Sequence, residues 1–218
     1  MSLEKEENTE DLERKKVPRG EVTLIGLGRL GFRTGLNLIE VHRGGPERIT
    51  AIDGQKISDD DLVFKILGAK PGEYKVDFFE KLAGPDNSKK VKGINRNISG
   101  DNLDLIRGDV VCIEIAGGNT LPLTAGIIKK AHEKGISTIS TMGVFGLGHE
   151  EIKATDISEG DPGNPIVSGL REYGIDENHL LVGTGKLIRD WEPVTPAILE
   201  KTAIVMTSEI LKTLKDKR

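Results

Sequence analysis

The sequence predicts an α/β fold: a mainly parallel sheet flanked by helices, with a C-terminal extension. Three observations predict it. Short β-branched runs alternate with segments of helical spacing from Glu21 onward. A glycine turn, Gly26-x-Gly28-x-x-Gly31, joins the first such run to the first such helix. The intervening segments have the length that right-handed crossovers between parallel strands require.

Residues 1–20 (EKEENTEDLERKK, then Pro18) read as a charged, solvated tail or surface helix, and 21–218 as one domain. VTLIGLG is a buried strand. The helix from Leu30 to Val41 carries Leu30, Leu36, Leu38, Ile39 and Val41 at helical spacing and is stopped by Gly44-Gly45-Pro46. RITAID is a second strand ending in Asp53, followed by a polar segment to Gly68 and a helix from Glu73 to Leu82. Gly93–Ile98 reads as a third strand, Asp101–Ile106 as a short helical piece, and DVVCIEIAG as the most strand-like run of all. A helix from Leu123 to Glu133 precedes the strand ISTISTMGV. Beyond Gly148 the pattern weakens: GDPGNP and VGTGK read as loops, and about 196–214 as an amphipathic closing helix.

Composition excludes several classes. The formal charge of −4 over 218 residues gives no reason to expect nucleic acid or an anionic membrane as partner. No apolar run approaches the ~18 to 20 residues of a membrane span. The N-terminus lacks a signal pattern, so a soluble cytoplasmic protein is expected. A single cysteine, Cys112, rules out an internal disulfide framework and any Cys-rich zinc site.

The glycine turn carries the chemistry. Gly26 permits the bend, Gly28 lets backbone N–H groups approach a phosphate, and Gly31 allows close packing of helix on strand. The helix N-terminus favours an anion, and Asp53, ending the next strand, can accept ribose hydroxyls. NAD and ATP share all of this. Lys75, opening a helix after Gly72, and Lys65, in the polar segment, favour ATP, because a departing pyrophosphate needs cations. An NAD-dependent oxidoreductase and a non-catalytic nucleotide-binding protein remain as alternatives.

At these residues the sequence resembles the E1-like activating enzymes, the ThiF/MoeB/HesA superfamily, over Glu21 to Gly148, with an echo at SEILKTL. Gly26, Gly28, Gly31 and Asp53 match the family turn and its ribose acid, and Gly72 and Lys75 match its Gly-x-x-Lys step. Asp60-Asp61-Leu62 stands where the family has Ser-Asn-Leu, and Phe64 takes the place of its Arg, leaving Lys65 to supply the cation. DVVCIEIAGGN resembles the strand that ends in the family's Thr-Asp-Asn loop, and GVFGLG its later Gly-rich turn. The magnesium-binding Asp of that loop is absent, with Glu114 or Asn119 as substitutes.

The resemblance implies a Rossmann-like fold, a homodimer, and adenylation of a carboxylate by ATP with Mg2+. Lys75 and Lys65 would be catalytic, and Gly26, Gly28, Gly31, Asp53, Gln55, Lys65, Lys75 and Asn119 would hold the nucleotide. Family Cys-x-x-Cys pairs are missing, so no zinc is expected, and Cys112 lies within a strand, where a thiol is a small core hydrophobe. A short, cysteine-poor branch of the superfamily is similar. It serves the guanylylpyridinol cofactor of the mono-iron hydrogenase in methanogenic archaea. That similarity implies guanylylpyridinol as substrate and a partner protein whose cysteine accepts the acyl group. Activation of a ubiquitin-like carrier is the alternative.

Other candidates receive plainer readings. His42, His132, His149 and His179 are assigned surface or capping roles. Asp59-Asp60-Asp61 reads as a helix-capping cluster, and Trp191 as loop packing. Ser137, Thr138, Ser140, Thr141 and Gly143 to Gly148 are expected at a crevice edge, where some contact substrate.

Overall fold

The computed structural model describes Glu13 and residues 16–85, 88–116, 119–187 and 192–217. The charged tail lies largely, and Trp191 wholly, outside the described residues. Among these residues the strands are β1 (Glu21–Ile25), β2 (Arg48–Ile52), β3 (Lys90–Ile94), β4 (Val110–Ile113), β5 (Ser137–Thr141), β6 (Lys153–Asp156) and β7 (His179–Gly183). The helices are α1 (Arg29–Glu40), α2 (Leu62–Ile66), α3 (Lys75–Ala83), α4 (Leu121–Glu133), α5 (Pro165–Glu172) and α6 (Pro196–Asp216).

The strands form one sheet in the order β3-β2-β1-β4-β5-β7-β6. Every pairing is parallel except β6 with β7. β4 is apolar on both faces, as a strand covered on both sides should be, and Leu24, Cys112 and Ile139 lie in register on one face across β1, β4 and β5. One core packs α1, α3 and α6 on the sheet through Phe32, Leu38, Phe79, Met206 and Ile210. The other packs α4 and α5 on the opposite face through Ile127, Ile128, Val167 and Leu170.

Two differences from the sequence reading have physical causes. β3 runs Lys90–Ile94 rather than Gly93–Ile98, because a tight turn closed by Arg96 N–H on the Ile94 carbonyl ends it. Past Gly148 the chain is more regular than its loop signals suggest. Asn164-Pro165 is a helix start, the Asn164 side chain accepting from the Ile166 N–H with Pro165 opening α5. β6 and β7 then complete the sheet edge as an antiparallel pair.

Chain order reverses between β1 and β4: from β1 the sheet grows outward through β2 on one side and through β4 on the other. In open α/β sheets such a switch point opens a crevice at the carboxyl ends of the strands.

Candidate functional site

A cleft occupies that crevice. Gly26, Gly28, Asp53, Gln55 and Glu114 line it, all singled out from sequence. Asn97, Ile98, Ile115, Ala116, Thr120 and Leu123 line it too, and the sequence did not point to them.

Close approach explains two of the glycines. Gly26 has φ of +94°, and a Cβ there would lie 2.8 Å from the Glu114 carbonyl oxygen. A Cβ on Gly31 would lie 2.0 Å from the Gly26 carbonyl oxygen, so only glycine lets α1 start this near the strand. Gly28 differs: its φ is −68°, and a Cβ would meet nothing within 4 Å. α1 starts there with no side-chain cap and no acidic residue in its first turn, which leaves its first N–H groups without intrahelical partners.

Asp53 is 8% exposed and ties the turn to the end of β2. Its Oδ2 accepts from the Leu27 N–H at 2.7 Å and its Oδ1 from the Gln55 N–H at 2.6 Å. Each carboxylate oxygen has a further lone pair for a ligand donor. Asn97 is placed at the cleft by the Gly54 N–H, which donates to its Oδ1 at 3.2 Å.

Glu114, just past β4, is buried beneath the turn. Thr34 Oγ1 donates to its Oε1 at 2.7 Å, while its Oε2 has no hydrogen-bond partner. Burial pushes its carboxyl up to about 7, against the lowering pull of hydrogen bonds from Thr34 and Cys112. Cys112 is fully buried in β4, and burial, then the Glu114 charge, push its thiol well above the ordinary value. Among the described residues no group of three or more His, Cys, Asp or Glu side chains could hold a metal.

Lys75 opens α3 but does not line the cleft. Its ammonium donates to Gln55 Oε1 at 3.0 Å and lies 3.4 Å from Asp61 Oδ2. Asp61 does not cap α2, contrary to the capping expectation. Its carboxylate accepts from the Ser58 N–H and hydroxyl at 3.0 and 3.1 Å, because Lys75 and Ser58 draw it away from the helix. Lys65 is held on the surface by the Asp59 carbonyl and carboxylate, and Asn119 is exposed, both outside the cleft lining.

The surface role assigned to His179 is corrected. It is fully buried, with Thr138 Oγ1 at 2.8 Å from Nδ1 and Ser140 Oγ at 2.8 Å from Nε2. Those two hydroxyls therefore face the core and not the crevice, since residues two apart in β5 share one face of the sheet, the face on which buried His179 of the neighbouring β7 lies in register with Thr138. The Gly143–Gly148 turn is stitched instead by Glu150, which accepts from the Leu147 and Gly148 N–H groups. These backbone bonds hold the Glu150 carboxyl down at about 2.

A switch-point cleft under a glycine turn on a sheet of this order defines a Rossmann-like protein. Comparison with known proteins narrows the class. No family model matches the chain. It is 63% identical to HcgE from Methanothermobacter marburgensis, whose structure holds guanylylpyridinol and ATP. That match covers 94% of this chain and 99% of that one, with a TM-score of 0.91. An uncharacterized protein of Methanocaldococcus jannaschii is 47% identical over 210 residues, 96% of this chain and 83% of its own length. The Escherichia coli tRNA N6-threonylcarbamoyladenosine dehydratase TcdA, solved with ATP, superposes with a TM-score of 0.77 over 95% of this chain and 90% of its own. At 16% identity, that likeness is one of fold. The chain belongs to the HcgE family.

Proposed function

We propose that this protein uses ATP to adenylate the carboxylate of guanylylpyridinol and hands the acyl group to a cysteine of a partner protein. The observation that carries the reading is its 63% identity to HcgE, whose structure contains both guanylylpyridinol and ATP. The cleft agrees with it. At Gly28 neither the backbone angle nor the packing around it calls for glycine, and the open space over its bare backbone suits the approach of a phosphate. The orphan N–H groups of α1 would take phosphate oxygens, and Asp53 the ribose hydroxyls.

In the reaction the substrate carboxylate oxygen attacks the α-phosphorus of ATP. The bond to the bridging oxygen breaks, and pyrophosphate leaves with the electron pair. The protein's part is positioning and charge stabilisation. Lys75 would meet the charge growing on the leaving group, and Lys65 would need to leave Asp59 to assist. Mg2+ bound with ATP would supply further positive charge to the phosphates. The orphan Oε2 of Glu114 suits it, since a hard cation takes oxygen ligands and Mg2+ is commonly held by one carboxylate plus phosphates. Buried Cys112 is no accessible acceptor, which supports a partner's thiolate as the group that attacks the acyl carbon and displaces AMP. A homodimer, as the superfamily resemblance implies, completes the reading.

Calorimetric titration with ATP and NAD, followed by pyrophosphate release with guanylylpyridinol and mass spectrometry of the adenylate, tests it. ATP should bind at least about tenfold more tightly than NAD, a gap of about 1.4 kcal/mol. Tighter NAD binding removes the adenylation reading. Release driven only by a ubiquitin-like carrier removes the substrate assignment.

A further inference from the structure

Gln55 sits between two environments. It lines the cleft beside Asp53, and its side-chain oxygen accepts the Lys75 ammonium. A lysine ammonium is a donor only, so the amide oxygen must face it. The amide NH2 is then left for the cleft, where a nucleotide presents acceptor oxygens on ribose and phosphate. With the amide reversed, a carbonyl would confront those oxygens instead.

What holds Lys75 there is Asp61. The Lys75 ammonium is buried over the face of Phe64, 5.7 Å from the ring centroid, and Asp61 is its carboxylate partner. Phe64 stacks on Phe32 of α1 at 3.9 Å between centroids, fixing the crossover segment against the helix that carries the glycine turn. Asp61 is itself pinned by the Ser58 N–H and hydroxyl. It does not line the cleft.

We propose that Asp61 is a positioning residue for nucleotide binding: pinned by Ser58, it anchors Lys75, and Lys75 turns the Gln55 amide NH2 toward the ribose or phosphate oxygens of ATP. The inference rests on the adenylation reading above. Burial would raise the Asp61 carboxyl, yet the Ser58 bonds and the Lys75 charge outweigh it and hold the group below its ordinary value, so it is charged at neutral pH.

Two measurements decide it. In calorimetry with ATP, Asp61→Asn and Gln55→Ala should each weaken binding by about tenfold, and the double variant should be no weaker than Gln55→Ala by more than about twofold, because both changes remove one interaction. Additive losses, about a hundredfold together, would overturn the proposal. In the ligand-free protein, a nitrogen-detected lysine spectrum should show a protected Lys75 ammonium that disappears in Asp61→Asn while the backbone spectrum persists. Its survival in that variant would overturn the proposal as well. Should Asp61→Asn not fold, Ser58→Ala loosens the same carboxylate and should show the same losses at smaller amplitude, and unchanged ATP affinity there overturns the proposal. If the wild-type protein did not bind ATP at all, the adenylation reading would fall, and the ammonium signal would still report whether Asp61 holds Lys75.

Discussion

Two buried ionisable side chains, Glu114 past β4 and His179 at the start of β7, are treated in opposite ways. Both are taken out of water, and burial moves each toward its neutral form: the Glu114 carboxyl up to about 7, the His179 imidazole down to about 3. His179 has both ring nitrogens bonded, and Thr138 further meets His132 Nε2 at 3.1 Å. Glu114 has one oxygen bonded to Thr34 and one, buried beneath the glycine turn, without a hydrogen-bond partner, and the residue lines the cleft. A buried polar group completed within the fold is structural. One left incomplete beside a cleft is waiting for something that binds. The β1–β2–β4 side of the molecule is therefore expected to carry ligand binding, and the β5–β7 side stability.

The hardest test of this division lies on the cleft side. On the proposed reading, Asp53→Ala removes charge-assisted bonds to ribose, each worth about 1.5–3 kcal/mol, and it releases the Leu27 and Gln55 N–H groups that shape the turn. ATP affinity should fall by about a hundredfold or more, with a smaller loss of stability. An affinity within a few-fold of wild type would place the ribose elsewhere.

His179→Leu should do the reverse. It leaves the Thr138 and Ser140 hydroxyls buried without their shared partner, at a cost of about 2–4 kcal/mol in denaturant unfolding. ATP affinity, measured well below the unfolding midpoint, should not change. A loss of ATP binding in a folded His179→Leu protein would erase the distinction between the two regions.

How much of this the sequence declared follows the same divide. The glycine turn and Asp53 were legible because their constraints are local: steric contact between Gly26 and Gly31, and a carboxylate at a strand end. Asn97 and Thr120 were not legible, since each reaches the cleft from a different strand's end and neither lies in a spaced pattern. Asp61 reads as a cap in the sequence because it precedes a helix, yet its partner Lys75 lies fourteen residues on. On the β5–β7 side the loss was greater. β6 has only four residues, two of them exposed, so no alternation marks it, and glycine-rich GDPGNP concealed the start of α5. The burial of His179 is not legible locally, because its partners lie on a neighbouring strand, about forty positions earlier.

Acid titration sharpens the comparison further, because the two groups act with opposite sign. An unfolded histidine titrates near 6.5 and folded His179 near 3, so between these values the unfolded chain binds more protons and stability climbs with pH. Glu114 titrates near 7 folded and near 4.5 unfolded, so between those values the folded chain binds more protons and stability falls with rising pH. Each slope is at most about 1.4 kcal/mol per pH unit. In the overlap, from 4.5 to 6.5, the two contributions oppose each other. Glu114→Gln removes one of them, so unfolding free energy measured across that window should rise with pH more steeply than in wild type. A parallel pair of curves would mean that Glu114 does not titrate as a buried acid.

The smallest effect is expected at Cys112, which belongs to the cleft side by position and to the core by burial. It sits in register between Leu24 and Ile139 in the centre of the sheet, with no exposed surface. Replacing it by Ala removes one sulfur from a packed interior, a loss of about 1 kcal/mol. Burial and the adjacent Glu114 hold the thiol far from its nucleophilic thiolate form, so it has neither the access nor the charge state to take an acyl group. Cys112→Ala should therefore release pyrophosphate from ATP and guanylylpyridinol at the wild-type rate. Intact-protein mass spectrometry of the wild type during turnover should show no covalent acyl adduct. If the Ala variant folded with its stability nearly intact yet lost acyl transfer, Cys112 would be a catalytic group, and β4 would have to open during the reaction to expose it.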